Sequence, residues 1–247
     1  MPISPNQGSI AGGNQVTITG VNLANAVAVL FGSSQATIVT NTPNSITVVS
    51  PSGNGVADVV VITGGGQSNP LSFYYILSPI FESLSNDSGS IAGGETVTLF
   101  GRNLSTATSV AFGSNSATPA VINDGQLSVV VPAGTSTGSV NVSVTTGGGT
   151  DYGPTYVYVD APTITNISPS SGSTLGGDTV TINGTGYQKT MSVTFDGINS
   201  PFGVVNSTTI TAISPPGTAG AVDVVVTTTG GSATAVDAYT YVAGPGI

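Results

Sequence analysis

One thirteen-residue stretch occurs three times in this chain and fixes most of what the chain can fold into. It reads Gly-Ser-Ile-Ala-Gly-Gly-Asn-Gln-Val-Thr-Ile-Thr-Gly from Gly8 to Gly20, and returns from Gly89 to Gly101 and from Gly172 to Gly184. A glycine pair ahead of alternating Val, Thr and Ile, closed by another glycine, reads as a turn feeding a half-buried strand that ends in a second turn. The copies carry different polar residues after the glycine pair: Asn14, Glu95 and Asp178.

Other landmarks keep the same spacing. Gly12, Gly93 and Gly176 step by 81 and 83 residues, as do Phe31, Phe112 and Phe195, and Pro51, Pro132 and Pro215. The closing Tyr75, Tyr158 and Tyr241 step by 83 each time. A period this long with small loop indels means three copies of one domain, which sets boundaries at 1–78, 79–161 and 162–247. The junctions Leu77 to Pro79 and Asp160 to Pro162 are short and contain proline, so the modules are expected to be linked semi-rigidly. Each copy orders some seven alternating segments with frequent turn residues and no helical periodicity, which predicts an all-β fold of antiparallel sandwiches.

Composition excludes several functions. Arg102 and Lys189 are the only basic residues against 11 acids, for a formal charge of −9. Too few cations are present to neutralise phosphates, so nucleic acid is not an expected partner, and anionic membrane surfaces are disfavoured. Charged residues make up only 5% of the chain, so solubility rests on Ser, Thr, Asn and the backbone, and such a surface repels copies of itself weakly. No Cys and no His are present, which removes disulfides, thiol nucleophiles and Ser-His-Asp catalysis. No apolar run approaches 18 residues, so no membrane-spanning helix is expected. Met1-Pro2 leads directly into the first repeat with no visible signal peptide.

The pattern Ile3-Ser-Pro5, Gly8, Gly12-Gly13 and Val16-Thr-Ile-Thr-Gly20, followed by Val29-Ala/Leu-Phe31-Gly32, resembles the IPT/TIG family of immunoglobulin-like domains. All three copies carry it. The resemblance implies three tandem immunoglobulin-like sandwiches of the early-set type, without the Cys pair and core Trp of antibody domains. Members of that family occur in bacterial surface proteins, adhesins, some starch-active enzymes, receptor stalks and transcription factors, so the resemblance implies fold more than role. The second copy has Asn86 where Pro5 and Pro169 stand, which predicts a looser opening turn.

Catalytic residues are not expected. Lys189 has no counterpart in the other copies, and the carboxylates are scattered. Gly64-Gly-Gly66 and Gly147-Gly-Gly149 lack the following Lys and helix of a phosphate loop and read as hairpin turns. No cofactor is expected. Calcium at Asp58, Asp87 or Asp178 is the one metal reading, and no Asp-x-Asp-x-Asp-Gly loop supports it.

Outward-facing residues carry the functional reading. Core faces are assigned to Ala57/Val59/Val61, Val140/Val142/Val144 and Val222/Val224/Val226, which turns Val60, Ile62 and Val225 outward, with Ala28 and Leu30 beside them between Val27, Val29 and Phe31. These residues form the expected self-association face. Tyr74, Phe100, Tyr152, Tyr187 and Phe202 are the aromatics expected to face a ligand. Two classes follow. The first is a non-enzymatic structural rod at a cell surface, or in an extracellular filament or virus-like particle, acting as a homo-oligomer or polymer. The second is a carbohydrate-binding adhesin or accessory module whose partner is a surface glycan or a cell-surface receptor.

Overall fold

A computed structural model describes residues 2–245 of the chain. Each of the three modules is a two-sheet sandwich. In the first, one sheet orders Ile3–Ser4, Gln15–Thr19, Ser45–Val49 and Thr37–Asn41, and the other orders Gln7–Ser9, Leu71–Ile76, Val56–Thr63, Ala28–Phe31 and Ser34–Gln35. The second and third modules repeat both orders. Among the described residues one 3₁₀ turn, Tyr187–Lys189, interrupts the strands of the third.

The chain has more strand segments per module than the seven the pattern suggests, for a topological reason. The opening strand changes sheets after Ser4, so Ile3–Ser4 pairs antiparallel with Thr17 and Ile18 while Gln7–Ser9 runs parallel to Tyr74–Ile76. A second change of sheet at Ala36 separates Ser34–Gln35 from Thr37–Asn41.

Alternation places the core. In Gln15–Thr19, Val16 and Ile18 are buried and pair with Val48 and Ile46, whose side chains share that face. Each module closes its own apolar cluster, and the aromatic landmarks meet inside it edge to face: Phe31, Phe73 and Tyr75, then Phe112, Tyr156 and Tyr158, then Phe195, Tyr239 and Tyr241. The last tyrosine also latches a loop. The hydroxyls of Tyr75, Tyr158 and Tyr241 donate to the carbonyls of Pro51, Pro132 and Pro215 at 2.8, 2.7 and 2.6 Å.

The two glycines of each pair are required for different reasons. Gly93 has φ 65°, and a methyl group there would also sit 2.6 Å from the Val131 carbonyl oxygen; Gly94 has φ 94° with open space around it. The first position therefore needs glycine for both conformation and room, the second for conformation alone.

Two expectations are corrected. The opening turn of the second module is held as firmly as the others: Asp87 O accepts the Val157 N–H at 2.8 Å, as Asn6 O accepts from Tyr74 and Ser170 O from Thr240, and Ser85 N–H adds a bond to Thr98 O at 2.8 Å. Asn86 thus costs the turn none of its ladder bonds. Val27, grouped with the inward side chains of its segment, is 70% exposed because its strand begins only at Ala28, and Ala26 packs against the core instead.

Candidate functional site

No pair of modules shares a core, so each junction is made by local contacts. The linker Ile76-Leu77-Ser78-Pro79 passes over the hairpin tip Thr146–Gly149 of the second module. A methyl group on Gly148 would overlap the Leu77 carbonyl oxygen, and Ser78 Oγ donates to Gly148 O at 3.3 Å. Asn103 Nδ2 closes the far side by donating to Ser78 O at 2.8 Å. The second junction repeats the glycine contact without those two hydrogen bonds, since Ala161 and Gly186 replace Ser78 and Asn103: a methyl group on Gly230 would overlap the Asp160 carbonyl oxygen. Gly148, Gly230, Pro79 and Pro162 are all buried there. The tips share one internal brace, since Thr146 and Thr228 Oγ1 accept the N–H groups of Gly148 and Gly230, both at 3.1 Å.

The junctions differ in what flanks the hairpin. At the first, Gln7 reaches over Gly147. Ser88 holds the equivalent place at the second, and its shorter side chain leaves a cleft of about 770 Å³. Asn86, Asp87, Ser88, Glu95, Met191 and Thr229 contribute to its wall. Lys189 Nζ lies 3.7 Å from Asp87 Oδ1 across the same junction, an exposed pair of small energetic weight. The cleft offers hydroxyl, amide and carboxylate groups. Within it the Ser88 hydroxyl donates to Asp87 Oδ1 at 3.0 Å, and among the described residues no three His, Cys, Asp or Glu side chains gather to hold a metal ion.

At the rim, the residue after each glycine pair turns back to cap the opening hairpin. Asn14 Oδ1 accepts the Ser9 N–H at 2.9 Å, and Asp178 Oδ2 accepts the Ser173 N–H at 3.0 Å. Glu95 accepts from the Tyr156 hydroxyl, and Asp178 from that of Tyr239 at 3.3 Å. Burial raises the Tyr156 hydroxyl well above its ordinary pKa, and the bond to Glu95 raises it further.

The proposed self-association residues occupy one face of the first module without forming a wide open patch. Ala28 stands opposite Ile62 and Leu30 opposite Val60, so these side chains shield one another; Val60 is buried and the other three half-buried. Val225, half-buried in the third module, stands between Thr194 and Thr234 and is not brought near them. Of the aromatics, Tyr152 is 73% exposed and Tyr74 43%; Phe100 is half-buried, and Phe202 packs partly against the third core.

Tyr187 corrects the expectation of exposure. It is fully buried in the third core, at the position that Leu23 and Leu104 fill in the other modules. Its hydroxyl has no hydrogen-bond partner, and burial pushes its pKa up to about 12. The repeat contained that signal, because Gly186-Tyr187 aligns with Asn22-Leu23 and Asn103-Leu104. Sequence reasoning missed the junction glycines, whose role depends on the preceding module. The capping residues were legible as a pattern, since Asn accompanies Phe73 while Glu95 and Asp178 accompany Tyr156 and Tyr239.

Comparison with known proteins places this architecture. The chain is 30% identical over 203 residues to fibrocystin from Canis lupus familiaris, across 75% of this chain and 5% of that protein. It is 32% identical over 203 residues to fibrocystin-L from Mus musculus, across 76% of this chain and 5% of that one. The chain therefore spans about 5% of the length of these curated relatives. A solved full extracellular region of plexin A4 is similar at a TM-score of 0.48 and 17% identity, over 92% of this chain and 22% of that one. Residues 1–75, 79–158 and 162–242 each match the IPT/TIG domain model, and the chain belongs to that family.

Proposed function

We propose that this chain is a non-enzymatic structural and interaction protein: a semi-rigid rod of immunoglobulin-like modules that works outside the cell or at its surface and associates with further copies of itself. The observation that carries the reading is the contact repeated at both junctions, where Gly148 and Gly230 each pack a hairpin tip against the linker carbonyls. The accessible surface supports elongation. It is 11862 Å² for 24.1 kDa, against roughly 10,000 Å² for a compact monomer of that mass. Low charge and the absence of histidine and cysteine favour contact over catalysis.

Small-angle X-ray scattering tests the rod. Three modules placed end to end give a radius of gyration of roughly 30 Å, because the longest strands alone extend about 40 Å, whereas a collapsed chain of this length gives about 18 Å. A value near the lower figure would overturn the reading. Carbohydrate binding is the second reading, and the exposed rings of Tyr152 and Tyr74 favour it. A glycan array would give a signal that Tyr152→Ala removes; a blank array argues against it.

A further inference from the structure

The two junctions share a pivot but differ in how it is braced. A glycine packed on one carbonyl, Gly148 on Leu77 and Gly230 on Asp160, fixes where neighbouring modules touch. It does not fix the angle between them, because rotation about a single point of contact leaves that point in place. At the first junction the angle is set by bonds on both sides of the linker: Ser78 Oγ donates to Gly148 O at 3.3 Å, and Asn103 Nδ2 donates to Ser78 O at 2.8 Å. Ala161 and Gly186 occupy these places at the second junction and carry no side-chain donor. Among the described residues no hydrogen bond crosses the second junction, and the polar contact there is the exposed pair of Lys189 Nζ and Asp87 Oδ1 at 3.7 Å. Space adjoins each member of that pair. Asp87 lines the cleft of about 770 Å³, and Lys189 lines a second cavity of about 290 Å³ with Thr137, Asp160, Gly186 and Ser207.

We propose that the second junction is the hinge of the rod: the first two modules move as one body, and the third swings on the Gly230 contact. The inference rests on the rod reading and adds to it a place where the rod bends. Relative motion is the default between modules joined by a small interface, and the two bonds at Ser78 and Asn103 take the first junction out of that default. The swing disturbs no core, since each module closes its own apolar cluster. It also has room. Asn86, Ser88 and Glu95 of the second module face Met191 and Thr229 of the third across the larger cleft, so one direction of swing narrows it and the other widens it. The Lys189–Asp87 pair restrains that motion only weakly, because both side chains are exposed and salt screens them.

Spin labels read both junctions in the full chain, which has no cysteine of its own to compete for them. Gln35, Ser116 and Asn199 are exposed at equivalent places, each on the short strand beside Leu30, Ala111 or Thr194. Gln35→Cys with Ser116→Cys spans the first junction, and Ser116→Cys with Asn199→Cys spans the second. Pulsed dipolar spectroscopy should give a distance distribution about twice as broad across the second junction as across the first. Ala161→Ser with Gly186→Asn supplies the missing donors. Gly186 has φ 77°, in the left-handed region where Asn22 and Asn103 already sit at 58°, so asparagine fits there. This exchange should narrow the second distribution to the width of the first. The reverse exchange, Ser78→Ala with Asn103→Gly, should broaden the first and leave the second as it was. Equal widths in the parent chain overturn the hinge. Unequal widths that neither exchange moves overturn its assignment to the missing bonds. The mean distances judge the rod itself, because collapsed modules would bring the labels close together, so rod and hinge can fail separately.

Discussion

The first and second modules solve one packing problem with different chemistry. In both, the residue after the glycine pair folds back over a glycine of the opening hairpin toward an aromatic ring of the final strand. The first uses Asn14 over Gly8 beside Phe73; the second uses Glu95 over Gly89 with the hydroxyl of Tyr156. An amide can complete its bonding on the backbone and tolerate a bare ring, while a carboxylate needs a further donor. The acid and the tyrosine therefore travel together, and the third module makes the same substitution with Asp178 and Tyr239.

The comparison breaks most severely at the glycine. Gly89→Ala would drive a methyl group into both the Tyr156 hydroxyl and the Glu95 carboxylate, and should cost roughly 3 kcal/mol. Gly8→Ala should cost less, because the nearest atoms belong to the Asn14 side chain, which can swing away. Hydrogen exchange resolved by module would read both, and equal losses would contradict the difference. Tyr156→Phe comes next. It leaves Glu95 facing a ring that cannot donate and should cost about 2 kcal/mol, while Asn14→Asp with Phe73→Tyr rebuilds the charged cap in the first module near neutrality. Denaturant titration checks both.

Alkaline titration sharpens the comparison further. The first module has Tyr75 as its one tyrosine raised by burial, the second has Tyr156 and Tyr158, and the third has Tyr187, Tyr239 and Tyr241. A hydroxyl whose folded pKa is raised holds its proton longer in the native state, so stability is intact below pH 10 and falls as pH rises beyond it. For Tyr187 the window runs from about 10 to about 12 and removes roughly 2 kcal/mol by its upper end. The second and third modules, which hold Tyr156 and Tyr187, should therefore open in base before the first, as exchange at stepped pH would show. The smallest effect belongs to Tyr187→Phe, which removes an unpartnered buried hydroxyl. It should leave stability at neutral pH unchanged or raise it by up to about 1 kcal/mol and narrow the alkaline gap; a clear loss would indicate a partner for that hydroxyl.

The repeat made the fold legible because each copy tests the others: Val16, Val97 and Val180 need the same buried face, and an error in one would show against the rest. Where sequence reasoning failed, a single position had been read by itself. Tyr187 was read as an unmatched aromatic although its alignment partners Leu23 and Leu104 are core residues. Val60 alternates outward as expected, but its neighbours across the ladder cover it, which strand periodicity alone does not encode. Gly148 and Gly230 look identical in kind to Gly65, and only the neighbouring module distinguishes a buried tip from an open one. Contacts between modules lie beyond the reach of a pattern that describes one module at a time.

The parallel pairing of each opening segment with the final strand has a mechanical consequence. Gln7–Ser9 beside Tyr74–Ile76, Ser88–Ser90 beside Val157–Val159 and Ser171–Ser173 beside Thr240–Val242 place each module's two ends in a shared ladder pointing the same way. Tension along the chain draws those strands past one another, so the ladder bonds bear load together and cannot be peeled open singly. Stretching single molecules should give one abrupt rupture per module, and a staircase of small yields would contradict it. A chain with few charged residues and no cysteine to crosslink it thereby gains resistance to shear from the direction in which its strands run.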